Sequence, residues 1–393
     1  MDNKQSIIVL DCPGHPFQYE LAKKLSIIED NNVIHIHNPS QLGPKSTFQS
    51  SKNFKIETVN KKISRNHFIR LFDEIIFSFL LVQKIASLNP RSILSSNNPI
   101  IPQFFLWLYC KINNVKFIYW LQDIYGIAVK KILKRQKNIL AKPVSSFFHF
   151  LEFFILKRSD HIVTISPDFD NVLINQKINK NKITCIPNWA PIEDLPVLKK
   201  ENEFSIQHNI NNSFNIIYSG TLGFKHNPDV LVSIAEFCSI NKFDIKLVII
   251  SEGPTVEYVK EEVSKKGISD TIIFLPFQDF DIFPQVLASA DISLVMLEKD
   301  AGEFCVPSKL LSILCSKRIP LIFVPKENLS ARIVNQNNCG VSVENEIELL
   351  DAIKDIYNNY HNYFEMQNNA RTYAENNFNI NEISKKFREI LNS

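Results

Sequence analysis

The chain has 393 residues, 45% of them hydrophobic and 22% charged, with 44 Lys and Arg against 41 Asp and Glu for a formal charge of +3. That length exceeds one ordinary domain, the apolar content fills two cores, and the near balance of charge excludes a globally basic nucleic-acid binder, leaving any basic surface local. Cys12, Cys110, Cys185, Cys238, Cys305, Cys315 and Cys339 are scattered without a CxxC pair, which excludes a disulfide framework or a zinc cluster and reads as reduced thiols of a cytoplasmic protein.

In chain order, the opening MDNKQSIIVLD has no cationic stretch followed by a long apolar one and is not expected to be a signal peptide. Short β-branched runs at 6–11, 33–37, 93–95, 115–120, 161–164 and 182–186 predict strands. Helical spacing at 17–26, 68–86, 103–113 and 147–157 falls between them. The apolar run 75–82 is far short of the roughly 20 residues that span a bilayer. Around 187–212 the pattern breaks at Pro187, Pro191 and Pro196 and reads as a linker. Strand-like runs resume at 215–219, 245–250, 271–274, 292–296 and 320–323, and the chain is helical after about Glu344. Strands alternating with helices predict parallel βαβ units. The expected fold is α/β, two Rossmann-like doubly wound domains facing across a cleft. The first spans 1–190, a linker 191–212, the second 213–375, and a C-terminal helix 376–393. In such sheets ligands bind beyond the carboxyl ends of the strands.

Three clusters suit chemistry there. In the stretch YSGTLGFKHNP, Gly220, Thr221 and Gly223 make a turn that brings backbone close to a phosphate. Lys225 adds a point charge, Asn227 a cap and Pro228 a first helical position. A plain strand–turn–helix with a solvated lysine is the alternative. Pro307 and Ser308 put a second helix start at a strand's end, and Lys309 in its first turn opposes the helix dipole unless an anion lies opposite. Gln122, Asp123 and Tyr125 gather at the end of a first-half strand. Asp123 either accepts a proton from an acceptor hydroxyl or merely caps the next turn.

His15, in the loop after the first strand, is a further candidate, although a lone histidine is more often structural. The Asp-Phe-Asp stretches at Asp168–Asp170 and Asp279–Asp281 are expected as helix-start residues, and no metal site is predicted. Lys130, Lys131, Lys134, Arg135, Lys137 and Lys142 precede the aromatic run FFHFLEFF. This suits an anionic bilayer surface, or else the aromatics are core and the lysines solvated.

The motifs YWLQDIYG, SDHIVTIS, IPNWA, YSGTLGFKHNP, SEGP, FLPFQ, ASADISLVMLE and VPSKLLSIL occur in order through nearly the whole chain. Together they resemble the family 4 glycosyltransferases, in the bacterial branch that builds O-antigen, capsule and colanic-acid units and includes N-acetyl-L-fucosamine transferases. The resemblance implies the glycosyltransferase B-type fold, a donor nucleotide on the second domain and an acceptor on the first. It also implies a C-terminal helix returning to the first domain. Gly220, Gly223 and Lys225 match positions near the donor diphosphate. Glu252, Gly253, Pro276 and Phe277 match loops around the base, and Pro307, Ser308 and Lys309 match the donor-binding turn. Where the family pattern has two glutamates separated by seven residues, Phe304 and Ser312 stand here, with Glu303 one residue off. Thr221 replaces the usual arginine.

The implied activity is retaining transfer from a nucleotide sugar, uridine being the family's usual base, with no further cofactor. The implied acceptor is a polyprenyl-diphosphate-linked sugar, and the implied place is the cytoplasmic face of the inner membrane, held peripherally. An epimerase of similar fold and an inactive membrane-associated partner are the competing readings.

Overall fold

The computed structural model describes residues 5–28, 32–40, 49–64, 67–124, 126, 141–223, 226–297 and 306–393. They divide into two compact units, Met1–Asn188 with Ile380–Ser393, and Trp189–Asn379.

The described strands of the first unit are β1 (Ser6–Asp11), β2 (Val33–His37), β3 (Phe54–Thr58), β4 (Pro90–Ser96), β5 (Lys116–Leu121), β6 (His161–Thr164) and β7 (Ile183–Cys185). They lie in the order β3-β2-β1-β4-β5-β6-β7, all pairs parallel. Every residue of β1 is buried, because a central parallel strand is covered on both faces and so reads as a continuous apolar run. Ile8 pairs with Ile34 on one side and Ile93 on the other. Pro90 begins β4, a position where its missing N–H costs no ladder bond.

The last helix, Ile380–Asn392, belongs to this unit. It buries Ile380, Ile383, Phe387, Ile390 and Leu391 at helical spacing, and the Phe387 ring lies 4.8 Å from that of Trp120. Lys116 Nζ donates to the Ile390 carbonyl at 2.6 Å, so the end of the helix is tied to the start of β5.

In the second unit the described strands are β8 (Phe214–Ser219), β9 (Ile245–Ile250), β10 (Ile272–Leu275), β11 (Ile292–Met296), β12 (Ile319–Phe323) and β13 (Val341–Val343). Their order is β10-β9-β8-β11-β12-β13, again parallel. Asn215 and Asp291 staple the amino ends of β8 and β11. The Asn215 amide donates to Ile210 and Ser289 carbonyls, and Asp291 accepts from Asn215 N–H at 2.7 Å.

The segment expected as a bare linker contains a helix, Glu203–Gln207, closed by a capping box from Asn202 to Ser205. Asn227 is not a helix cap. It takes φ +51°, and the helix runs Asp229–Ile240 with Pro228 at its N-cap and no side-chain cap bond.

Strand order reverses between β1 and β4 in one sheet and between β8 and β11 in the other. A crevice opens at such a switch point, where adjacent connections leave to opposite faces. Each unit therefore has one edge that its topology prepares for a ligand.

Candidate active site

In the first unit a cleft of about 1250 Å³ lies at the carboxyl ends of β1, β4 and β5. Cys12, Pro13 and His15 line it after β1, Asn97, Asn98 and Pro99 after β4, and Gln122 and Asp123 after β5, with Lys61, Arg70 and Asp73 on a further side. Two residues expected to carry chemistry, His15 and Asp123, thus share one cavity.

His15 is not a lone histidine. Its Nδ1 donates to Asp11, the last residue of β1, at 3.0 Å, and its backbone N–H donates to the same carboxylate. Asp11 is completely buried. Asn97 Nδ2 donates to it at 3.0 Å, and the buried Gln18 amide donates to it in the orientation that also satisfies Ser96 and Asn97. Burial opposes both charges most strongly. For Asp11 it is outweighed by the charge and hydrogen bonds of His15, which hold the carboxyl below its ordinary value. For His15 it is outweighed by the Asp11 charge and hydrogen bond, a bond to Gln18 and the Asp123 charge, which raise the imidazole. Each group thus favours the charged form of the other, and the pair is fixed by two hydrogen bonds to the same buried carboxylate.

Gln122 and Asn188 exchange amide bonds of 3.2 and 2.6 Å, joining the end of β5 to the end of the unit. The Gly126 N–H donates to buried Glu152 at 2.7 Å, and a Cβ there would stand 2.8 Å from the His149 backbone. Tyr125 and the basic residues 130–137 lie outside the described residues, as does the side chain of Lys142.

In the second unit the glycine turn and the Pro307–Ser308–Lys309 turn, 88 residues apart, come together. Lys309 Nζ donates to the Thr221 carbonyl at 3.2 Å and stands 3.7 Å from the centre of the Tyr218 ring, a cation–π contact. Gly220 permits this twice over. Its φ of +115° is one that side-chain-bearing residues rarely adopt, and a Cβ would stand 2.7 Å from Lys309 Cε.

The turn's amides differ from the expected phosphate cradle. The N–H groups of Gly220, Leu222 and Gly223 donate to Ile250 O, Ser251 Oγ and His226 Nδ1. The glycines shape the turn and admit the lysine, which brings its charge to the turn. Lys225 lies outside the described residues, as do Glu303 and Phe304.

The neighbouring loops meet on the same strand ends. Glu252 Oε1 accepts from Phe277 N–H at 3.1 Å, linking the turn after β9 to that after β10. Gly253, at φ +113°, opens the helix Pro254–Lys265 and has clear space where a Cβ would be. Pro276 and Phe277 are exposed beside it. Ser308 precedes the helix Lys309–Cys315 without a side-chain cap bond, Pro307 is half-buried before it, and half-buried Ser312 lies three residues beyond Lys309.

Asp168 and Asp170 sit in the first turn of the helix Pro167–Asn175, and among the described residues no group of three or more His, Cys, Asp or Glu could hold a metal. No helix among them is long and apolar enough to cross a membrane.

Residues 199–377 match the profile of the glycosyl transferases group 1 family. That match lies within the second unit, Trp189–Asn379. The chain is 24% identical over 162 residues to WcaI of Escherichia coli (strain K12), a protein assigned to colanic acid biosynthesis as a glycosyl transferase; the match covers 40% of this chain and 39% of that relative. Over the whole chain the fold is that of solved glycosyltransferases. Anabaena Alr3699/HepE in complex with UDP and glucose superposes with a TM-score of 0.73 at 14% identity, covering 99% of each chain. WaaG, a glycosyltransferase involved in lipopolysaccharide biosynthesis, superposes with a TM-score of 0.70 at 12% identity, covering 98% of this chain and 99% of its own.

Sequence reasoning missed Asp11, Gln18, Asn97 and Tyr218 as parts of these sites. Asp11 had a readable signal, a carboxylate closing an otherwise apolar strand four residues before the histidine. Asn97 comes from 86 residues further on, and nothing local announces it.

Proposed function

We propose that this chain is a retaining glycosyltransferase. It moves a sugar from a nucleotide diphosphate donor, a UDP-sugar, held by the turns after β8, β9, β10 and β11, to a polyprenyl-diphosphate-linked sugar received in the first unit's cleft. The donor sugar is N-acetyl-L-fucosamine or a related amino or deoxy sugar, and the place is the cytoplasmic face of the membrane during assembly of O-antigen or capsule. The observation that carries the reading is Lys309, drawn onto the Gly220 turn at the switch point of the unit that holds the match to the glycosyl transferases group 1 family. The UDP in the Anabaena structure of the same fold supports a uridine donor.

The chemistry follows from charge. As the glycosidic bond to phosphate breaks, negative charge grows on the leaving diphosphate, and fixed cations near it lower the barrier. Lys309 and Lys225 supply that charge, and no metal or further cofactor enters the proposal. Glu252, Gly253, Pro276 and Phe277 surround the base, while Ser312 offers one hydroxyl to the ribose. On the acceptor side Asp123 orients the attacking hydroxyl, His15 is a second polar group in the same cleft, and the leaving phosphate takes the proton in a front-face displacement. Orientation supplies the remainder.

Lys309→Ala is expected to lower kcat by about 10²–10³, read by mass spectrometry of transfer to a short polyprenyl-diphosphate–GlcNAc acceptor, while leaving the melting temperature within a few degrees. Turnover equal to the intact chain would remove Lys309 from the site. Absence of transfer and of UDP binding in the intact, folded chain would favour the inactive-partner reading.

A further inference from the structure

The carboxyl end of β8 carries a tyrosine wholly buried beside the Gly220 turn. Tyr218 shares the core face of the strand with Ile216 and is packed into the same cluster as Leu222 and Val230, while Ile217 faces a separate cluster on the other side. An aliphatic side chain would fill such a position as well, whereas a buried phenol costs stability unless its hydroxyl is satisfied. Here the hydroxyl donates to the Thr221 carbonyl at 2.8 Å. Burial pushes its ionisation upward, so it stays a neutral donor. The same carbonyl accepts from Lys309 Nζ at 3.2 Å, and that nitrogen lies 3.7 Å from the centre of the phenol ring. One buried residue thus meets the lysine twice, directly through its ring and indirectly through the carbonyl that its hydroxyl holds.

We propose that Tyr218 is a positioning residue, which holds the Lys309 ammonium over the turn where the diphosphate of a nucleotide is received. Being wholly buried, it touches no ligand itself. A solvated lysine samples many rotamers and gives up that freedom when an anion fixes it. The ring, the carbonyl and the gap left by Gly220, where a Cβ would stand 2.7 Å from Lys309 Cε, confine it beforehand. Less of the ordering cost then falls on binding. Ring and carbonyl carry no formal charge, so they hold the ammonium without cancelling it, as a carboxylate in either place would. The ring is itself held, since its cluster includes Val230, Leu231 and Ile234 of the helix Asp229–Ile240.

This role rests on the donor reading above, in which Lys309 faces the diphosphate. It adds the residue that sets where that charge stands.

The test reads nucleotide binding and the lysine's position separately. By calorimetry, Lys309→Ala is expected to weaken UDP binding by about 10- to 100-fold and Tyr218→Leu by about tenfold. Tyr218→Phe, which keeps the ring and loses the hydroxyl, is expected to weaken it by about threefold. Uridine, which has base and ribose but no phosphate, should lose far less in each; a turn that had merely collapsed would weaken both ligands alike. In the Lys309→Ala background neither Tyr218 substitution should weaken UDP by more than about twofold further. In a chain isotopically labelled at the lysine ε-carbons, the NMR signal that Lys309→Ala removes is expected upfield of the other lysines, as protons over a ring face are. It should return among them in Tyr218→Leu and stay upfield in Tyr218→Phe. Equal losses for UDP and uridine, additive losses in the double variants, or a Lys309 signal among the other lysines in the intact chain overturns the proposal and leaves the donor reading standing. If Tyr218→Leu fails to fold, the intact chain's signal and Tyr218→Phe, alone and with Lys309→Ala, decide it. UDP binding that Lys309→Ala leaves unchanged overturns it together with the place given to Lys309. An intact chain that binds no UDP overturns the donor reading and this role with it.

Discussion

Gly220 and Lys309 form one feature that the sequence presents as two. Each motif was legible as a glycine turn or a lysine at a helix start. That a Cβ at residue 220 would collide with the lysine's stem depends on the meeting of two loops, which no local pattern encodes. His15 and Asp11 pose the same problem within five residues, since the strand's end fixes the carboxylate and the left-handed Gly14, at φ +77°, returns the chain to it. The pair has a pH signature. Asp11, with its pKa lowered from 3.8, contributes stability above that value and loses it as pH falls through the folded value. His15, with its pKa raised from 6.5, contributes fully below that value and loses it as pH rises through the folded one. Asp11→Asn is therefore expected to cost about 1.5–3 kcal/mol between roughly pH 4 and 6.5, the range of a charged hydrogen bond, and less on either side. Urea unfolding of both proteins across pH measures it, and a pH-independent difference would mean that the pair carries no charge.

At the scale of elements, the central strands were legible because they are short runs rich in β-branched residues; Val33–His37, His161–Thr164 and Ile245–Ile250 have the bounds the pattern predicts. Two of the four edge strands were not. Phe54–Thr58 and Val341–Val343 are short and half exposed, so their residues resemble loop. The extent of the helix His67–Ala86 was legible but its exposed apolar stripe, with Phe72 and Phe79, was not, since period alone does not say which apolar stripe meets the core. For Ile380–Asn392 the stripe is unambiguous, with one apolar face and one charged. Phe387 is fully buried against Trp120, so Phe387→Ala is expected to destabilise the first unit by about 3–5 kcal/mol. Differential scanning calorimetry would show this as a lower melting transition. A shift under a degree would mean that the helix is only loosely seated on its unit.

For the whole molecule, two units with separate cores make the assignment of donor and acceptor separable by thermodynamics. A ligand that binds one folded unit stabilises that unit by RT ln(1 + [L]/Kd), about 2.7 kcal/mol at a hundredfold excess over Kd. On the proposed reading UDP acts on the unit Trp189–Asn379, whereas Phe387→Ala acts on the unit that includes Ile380–Ser393. The two perturbations are therefore expected to move different melting transitions. In Phe387→Ala the lower transition should stay where it is when UDP is added, while the upper one rises by several degrees. Lys309→Ala should weaken the rise without touching the lower transition. If UDP instead raised the transition that Phe387→Ala lowers, the nucleotide would be bound by the first unit, and Lys309 would lose its place opposite the leaving diphosphate.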